Sequence, residues 1–195
     1  TLSSSSAASD VYKRQLPGFQ DITDETVRQK FSDIYGVELN PQPGLHLTLM
    51  FEAMASGSLK GLYVIGENPA DSEADVSHSR KLLADLDLLI VQDIFLTRTA
   101  ELADIVLPAT VGWAESEGTV TSSERRVQRV RAAVGAPPGT RDDHAIIGQI
   151  AKLLGAKWQA DTPEALWNEL RSLSPMHLGM SYERLEENEG LQWPC

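Results

Sequence analysis

Three short apolar runs constrain this chain more than any other feature. "GLYVIG" (61–66), "DLLIVQD" (87–93) and "ADIVLPA" (103–109) lack the polar alternation of a strand with one wet face. Continuous runs of this kind suit parallel strands buried on both faces. Between the first two, "DVSHSRKLLADL" (75–86) reads as a helix that turns Val76, Leu82 or Leu83, and Leu86 toward a sheet. A helix joining two parallel strands makes a right-handed βαβ crossover the natural connection. The expectation is an α/β fold with a doubly wound, Rossmann-like, mostly parallel sheet and extra C-terminal helices.

Other segments flank this unit. "TDETVRQKFSDIY" (23–35) places Val27, Phe31 and Ile34 on one helical face, with Asp24 or Thr23 as the cap and Gly36 as the stop. A Pro-Gly turn precedes a helix over 45–55, ended by Gly57. In 117–135, Val120, Val127, Val130 and Val134 suit a strand or an irregular arm. Residues 142–155 read as a capped helix closed by Gly155. Residues 162–174 read as another, with Thr162 as cap, Pro163 at the first helical position and Glu164 favoured by the helix dipole. "SYERLEENEG" suits a short helix.

The first fifteen residues, "TLSSSSAASDVYKRQ", are serine-rich and lack the apolar core of a secretory signal. They resemble translated sequencing-adapter read-through, and a disordered native tail is the alternative. Residues 16–195 are then expected to form a single domain. With 195 residues, 42% of them hydrophobic, the chain can build one sizeable core. A net charge of −11 disfavours nonspecific binding to nucleic acid or anionic membranes, so neither nucleic acid nor membrane insertion is expected. The single cysteine, Cys195, excludes a disulfide framework or a multi-cysteine metal site within these residues. It is compatible with a reducing compartment, and a cytoplasmic location is the reading adopted.

In open α/β sheets, ligands bind beyond the carboxyl ends of the strands. Three segments arrive there: Gly66-Glu67-Asn68-Pro69, Gln92-Asp93 and Pro108-Ala109-Thr110. Gly66 would let a ligand approach the backbone, and Asn68 offers both a donor and an acceptor. A helix starting near Asp71 or Ser72 would present free N–H groups to a phosphate. Asp93 stands where dinucleotide domains place the carboxylate that holds ribose hydroxyls. The alternative is a plain turn with an Asx cap, and local chemistry leaves both readings open. No G-x-G-x-x-G or G-x-x-x-x-G-K-[ST] occurs, so ordinary NAD or P-loop binding is poorly supported. His46, His78, His144 and His177 show no metal-ligand spacing. The cluster Ser122-Ser123-Glu124-Arg125-Arg126 suits either an anion site or a solvated face.

The stretches "YVIGENPADSEADVSHSRKLL", "LIVQDIFLTRTAELADIVLPATVGWAESEGTVTSSERRVQRVRAAV", "DDHAIIGQIAKLLG" and "SPMHLGMSYERLEENEGLQWPC" carry a resemblance. From residue 16 to 195 the chain resembles the alpha subunits of molybdenum- or tungsten-dependent formate dehydrogenases, in the molybdopterin oxidoreductase family. The resemblance implies an α/β domain that binds the guanosine diphosphate part of a molybdopterin guanine dinucleotide. Gly66, Glu67 and Asn68 match the loop lining that dinucleotide. Gln92 and Asp93 match the second strand end, where the acidic residue approaches the guanosine, and Thr97 matches the threonine of the following loop. Ala109 sits where some relatives have serine, which removes a side-chain contact or leaves it to the backbone. Asp143 matches the aspartate that contacts guanine at the start of a "D-W-x-I-I" helix; Asp142 is the neighbouring candidate, and His144 replaces the tryptophan.

The same resemblance implies that the metal-ligating cysteine or selenocysteine, its histidine and arginine neighbours, and the cysteines of a [4Fe–4S] cluster match segments upstream of Leu16. No residue here is then assigned a catalytic or metal-binding role, and the chain reads as an internal fragment. Implied for the full enzyme are formate as substrate and separate electron-transfer subunits; its compartment, which could be periplasmic or membrane-associated, is not readable. Two competing readings are the large iron–sulfur subunit of NADH:quinone oxidoreductase, with a structural and electron-wiring role, and a stand-alone nucleotide-binding module.

Overall fold

The computed structural model describes residues 15–158 and 161–195. The serine-rich tail expected over 1–15 lies, apart from Gln15, outside the described residues. The three apolar runs become strands β3 (Gly61–Ile65), β4 (Leu88–Asp93) and β5 (Ile105–Pro108), parallel and in the order β3-β4-β5. Two short helices, α3 (Pro69–Ser72) and α4 (Val76–Ala84), fill the first crossover, and α5 (Arg98–Glu101) fills the second. An earlier helix, α2 (Leu47–Ala55), leads into β3.

Strand residues alternate between faces, and the register aligns Val64 with Val91 and Tyr63 with Ile90. One face, with Leu62, Val64, Leu89 and Val91, packs against Met54 of α2, Leu82 and Leu83 of α4, Ala70 and Ala100. Leu83, Leu89 and Val91 are almost wholly buried, so truncating Leu83 or Leu89 to alanine costs about 2–5 kcal/mol. The other face differs from expectation. Ile65, Leu88 and Ile105 are each more than 40% exposed, and Tyr63, Ile90 and Leu107 are only partly covered. An apolar run shows that a strand could be buried on both sides; it cannot show whether these residues supply both covers.

On the amino-terminal side, β1 (Gln15–Leu16) and β2 (Gln20–Asp21) form a small antiparallel pair. It is followed by α1 (Glu25–Tyr35). Asp24 caps that helix by accepting from the Val27 N–H at 3.0 Å, and Gly36 ends it in the left-handed conformation. Phe31 is fully buried as the periodicity requires, but Ile34 is 53% exposed.

The valine-rich arm is a hairpin of β6 (Gly118–Thr121) and β7 (Arg126–Val130), joined by β8 (Leu191–Gln192) in an antiparallel sheet. Helices α7 (Pro163–Leu173) and α8 (Tyr182–Glu187) accompany it. Val127, Trp167, Met180, Tyr182 and Leu185 form this second core. The Trp167 indole N–H donates to the Met180 carbonyl at 2.6 Å, so the ring is buried without losing its polar partner. Gln20 and Lys30 both donate to the Leu173 carbonyl and tie the amino-terminal segment to this part. Helix α6 (Asp143–Leu153) follows β7 and ends before Gly155, as expected. Among the described residues, no helix is long and apolar enough to cross a membrane.

Candidate functional site

At the carboxyl edge of the parallel sheet the three strands release their chains into loops. After β3, Gly66 continues the ladder by donating its N–H to the Gln92 carbonyl at 2.9 Å. Its φ is +64°, a left-handed conformation that glycine adopts at little cost. A Cβ there would meet nothing within 4 Å, so the position requires glycine's backbone freedom rather than its small size.

Asn68 does not make the Asx cap offered as the plain-turn alternative; its side chain makes no capping bond to α3. Instead its Oδ1 accepts from the Thr99 hydroxyl at 2.7 Å and from the Thr99 N–H at 3.2 Å, while its Nδ2 donates to Asp71 at 2.9 Å. The amide is spent on joining the first loop to the second. The free N–H groups expected of the following helix are spent as well. Pro69 has none, Ala70 donates to the Thr99 hydroxyl, and Asp71 and Ser72 donate to the Asn68 carbonyl. A phosphate site at the start of α3 is therefore overturned. The Asp71 carboxyl is held below its usual range by the Asn68 amide and then by Arg80.

The second strand end carries Gln92 and Asp93. Gln92 is completely buried: it accepts from the Tyr63 hydroxyl and donates to Asp143 at the start of α6. Asp93 is half-exposed, and one of its oxygens accepts from the Phe95 N–H at 3.0 Å. Thr97 caps α5 by accepting from the Ala100 N–H, which leaves its hydroxyl proton free to donate. At the third strand end Ala109 is buried and gives its N–H to the Asp93 carbonyl, and the Thr110 hydroxyl donates to Asp142 at 2.7 Å.

These loops enclose an open cavity of about 520 Å³, within the range of small-molecule sites. All eight residues taken from the resemblance (Gly66, Glu67, Asn68, Gln92, Asp93, Thr97, Ala109 and Asp143) line it. The rest of the wall includes Ser72, Ile94, Phe95, Thr110 and Trp113. Phe95 and Trp113 are each 72% exposed, at the rim. Glu67, Asp93 and Asp143 make the lining acidic, and among the described residues no lysine or arginine contributes to it. Burial, helped by the Asp143 charge, pushes the Tyr63 hydroxyl above its ordinary pKa and keeps it a neutral donor.

Asp142 lies behind the cavity, engaged by Thr110, so of the two neighbouring aspartates it is Asp143 that lines the space. Among the described residues no cluster of three histidine, cysteine or carboxylate side chains could hold a metal ion. Ser122 to Arg126 form the β6–β7 turn, closed by the Ser122 N–H on the Arg126 carbonyl at 2.9 Å. Tyr63, Thr99 and Trp113 were not singled out from the sequence. Tyr63 reads there as strand filler and Thr99 lies between two apolar runs with no signal of its own; only the exposed-aromatic character of a loop tryptophan could have pointed to Trp113.

The model of the family described as molybdopterin oxidoreductase matches residues 4–153. A putative formate dehydrogenase of Bacillus subtilis (strain 168), YrhE, is 43% identical over 178 residues, which are 91% of this chain and 18% of that protein. The alpha subunit of an F420-dependent formate dehydrogenase of Methanocaldococcus jannaschii is 43% identical over 182 residues, 92% of this chain and 26% of that protein. Formate dehydrogenase H of Escherichia coli (strain K12) is 38% identical over 180 residues, 92% of this chain and 25% of that protein. The chain thus spans about a fifth to a quarter of the length of these relatives. Among solved structures, the acetylene hydratase of Pelobacter acetylenicus matches with a TM-score of 0.61 at 24% identity, covering 86% of this chain and 23% of that one. That likeness concerns the fold alone.

Proposed function

The chain belongs to the molybdopterin oxidoreductase family, and from that premise we propose that it forms part of the cofactor cradle of a formate dehydrogenase, around the guanosine diphosphate portion of a molybdopterin guanine dinucleotide. One observation carries this reading. Eight residues assigned by resemblance, scattered from position 66 to 143, converge on one cavity at the carboxyl edge of a parallel sheet, where open α/β sheets take their ligands.

The donor set suits a nucleoside. Asp93 and Asp143 offer acceptors to ribose hydroxyls and to the N–H edge of a base, and Thr97 offers a hydroxyl donor. Phosphate is served only by neutral groups of this chain. The N–H groups of Glu67 and Asn68, which follow the left-handed Gly66, meet no acceptor among the described residues. Consecutive N–H groups of this kind make a concavity for anions. With an acidic lining, the cations that balance a diphosphate must come from elsewhere in the enzyme.

When bound, the cofactor's molybdenum or tungsten centre accepts the two electrons released as formate becomes carbon dioxide and a proton. The residues of this chain bind and orient the nucleotide end. The [4Fe–4S] cluster, the metal ligand and the electron-transfer subunits belong to this proposal as parts of the full-length enzyme. The NADH:quinone oxidoreductase alternative gains no support from the formate dehydrogenase relatives. We also read residues 16–195 as a single domain, supported by the Gln20 and Lys30 bonds to Leu173. Its parallel sheet is read as part of a doubly wound one; the half-exposed second face, with room for further cover, supports this.

The test is chemical. The full-length enzyme is expected to release GMP on acid hydrolysis of its extracted cofactor and to reduce a dye with formate. The 195-residue chain alone is expected to reduce none. Release of CMP, or no nucleotide at all, would overturn the guanine assignment.

A further inference from the structure

A file of hydrogen bonds runs from the half-buried Tyr63 through the fully buried Gln92 to Asp143 at the cavity, and its far end does not touch the cavity. The Tyr63 hydroxyl donates to Gln92 Oε1, and Gln92 Nε2 donates to Asp143 Oδ1. Both donors point the same way, toward the cavity. Gln92 has no exposure to solvent, so each end of its amide depends on these two partners. Tyr63 does not line the cavity; Gln92 and Asp143 do.

We infer that Tyr63 is a positioning residue for base recognition, acting through Gln92 to hold the Asp143 carboxylate as an acceptor aimed at a donor-rich base edge. The inference rests on the guanosine reading of the cavity. An amide can turn end for end, and its two orientations present opposite chemistry to a neighbour. The Asp143 carboxylate only accepts, so it takes Nε2, and Oε1 is left for the phenol, which donates. With Oε1 held by Tyr63, Nε2 must face Asp143. That fixes the rotation of the carboxylate and leaves its other oxygen for the ligand. Guanine, with N–H donors at N1 and the 2-amino group, matches a carboxylate edge-on; adenine presents a bare N1 acceptor and is repelled.

Removing the hydroxyl leaves Gln92 Oε1 buried without a donor. The amide keeps Nε2 on the carboxylate but loses its second anchor, so the rotation of Asp143 toward the base is less firmly fixed. The loss falls on discrimination between base edges rather than on the cavity's shape, because phenylalanine keeps the ring that packs beside Ile90.

The experiment uses full-length enzyme stripped of cofactor, titrated calorimetrically with GDP and with IDP, which lacks the 2-amino group. The wild type is expected to prefer GDP about tenfold, the size of one hydrogen bond to a charged group. Tyr63→Phe is expected to bring the ratio to about twofold or less while IDP binding holds. Asp143→Asn should abolish the preference, and Tyr63→Phe should add nothing to it, since coupled residues are non-additive. Melting of each cofactor-free variant checks that the fold persists. A Tyr63→Phe enzyme with the wild-type ratio, or one whose effect survives unchanged on the Asp143→Asn background, overturns the role of Tyr63. A wild type with no preference for GDP overturns the guanosine reading itself, and the two failures are told apart by the wild type alone.

Discussion

The Asn68 amide oxygen takes two hydrogen bonds from one residue, the hydroxyl and the N–H of Thr99, across thirty-one positions of sequence. Thr99 is completely buried, and its hydroxyl oxygen also accepts from the Ala70 N–H at 3.0 Å. The loop after β3 is thus clamped to the start of α5 by one threonine. Thr99→Val keeps the shape and removes both hydroxyl bonds, at a cost of about 1–3 kcal/mol. Hydrogen exchange is expected to speed up locally over residues 66–72. Exchange unchanged in that segment would show that the clamp does not hold the loop.

Gly66 has room for a side chain but an unfavourable φ for one. Gly66→Ala is expected to cost about 1–2 kcal/mol, the left-handed penalty. Gly66→Asn should cost clearly less, because asparagine tolerates that region. Thermal melting of the two variants gives the order. Equal melting temperatures would place the requirement in ligand approach instead of backbone conformation.

His177 is buried in the second core, with Nδ1 2.7 Å from the Ser174 hydroxyl and its ring near Trp167 and Trp193. Burial lowers its pKa from the usual 6.5. The folded state therefore binds fewer protons here than the unfolded state, and this contribution to stability is complete above about pH 6.5. It is lost as pH falls from there through the lower folded value. Oxidative footprinting of Met180 and Trp167 under mild urea should show more exposure at pH 5.5 than at 7.5. His177→Gln should flatten that difference; an equally steep one in the variant assigns the effect to other groups.

Trp113 and Phe95 keep large apolar rings in water at the cavity rim. Stacking against a flat ligand ring is worth about 1–3 kcal/mol per aromatic. Trp113→Ala in the full-length enzyme is expected to lower cofactor content per polypeptide several-fold, with the melting temperature of the cofactor-free protein unchanged. Full cofactor content in the variant would leave Trp113 outside the binding wall.

The sheet was legible because its strands are unbroken apolar runs, and the helix caps because Asp24, Thr162 and Pro163 advertise themselves within one turn. The gathering of Gly66 and Asp93 at one edge also follows from parallel strands ending together, whereas Asp143, at the start of α6, comes only with the resemblance. The work of Asn68 was not legible. Its partner Thr99 lies in another crossover, and nothing near position 68 distinguishes a residue that faces a ligand from one that pins a loop. Likewise the N–H groups of α3 look free until Thr99 is folded against them. Tyr63 sits inside an apolar run, where an aromatic ring counts as packing and its hydroxyl leaves no pattern.

The half-exposed face of β3, β4 and β5 has a consequence for how errors spread through an enzyme of this family. Tyr63 lies on that face in register with Ile90, beside Ile65. A neighbour packed against those isoleucines would also rest on the phenol ring, one hydrogen bond from Gln92 and two from Asp143. A fault in how that neighbour seats could therefore reach the cavity from behind, without altering any residue that lines it.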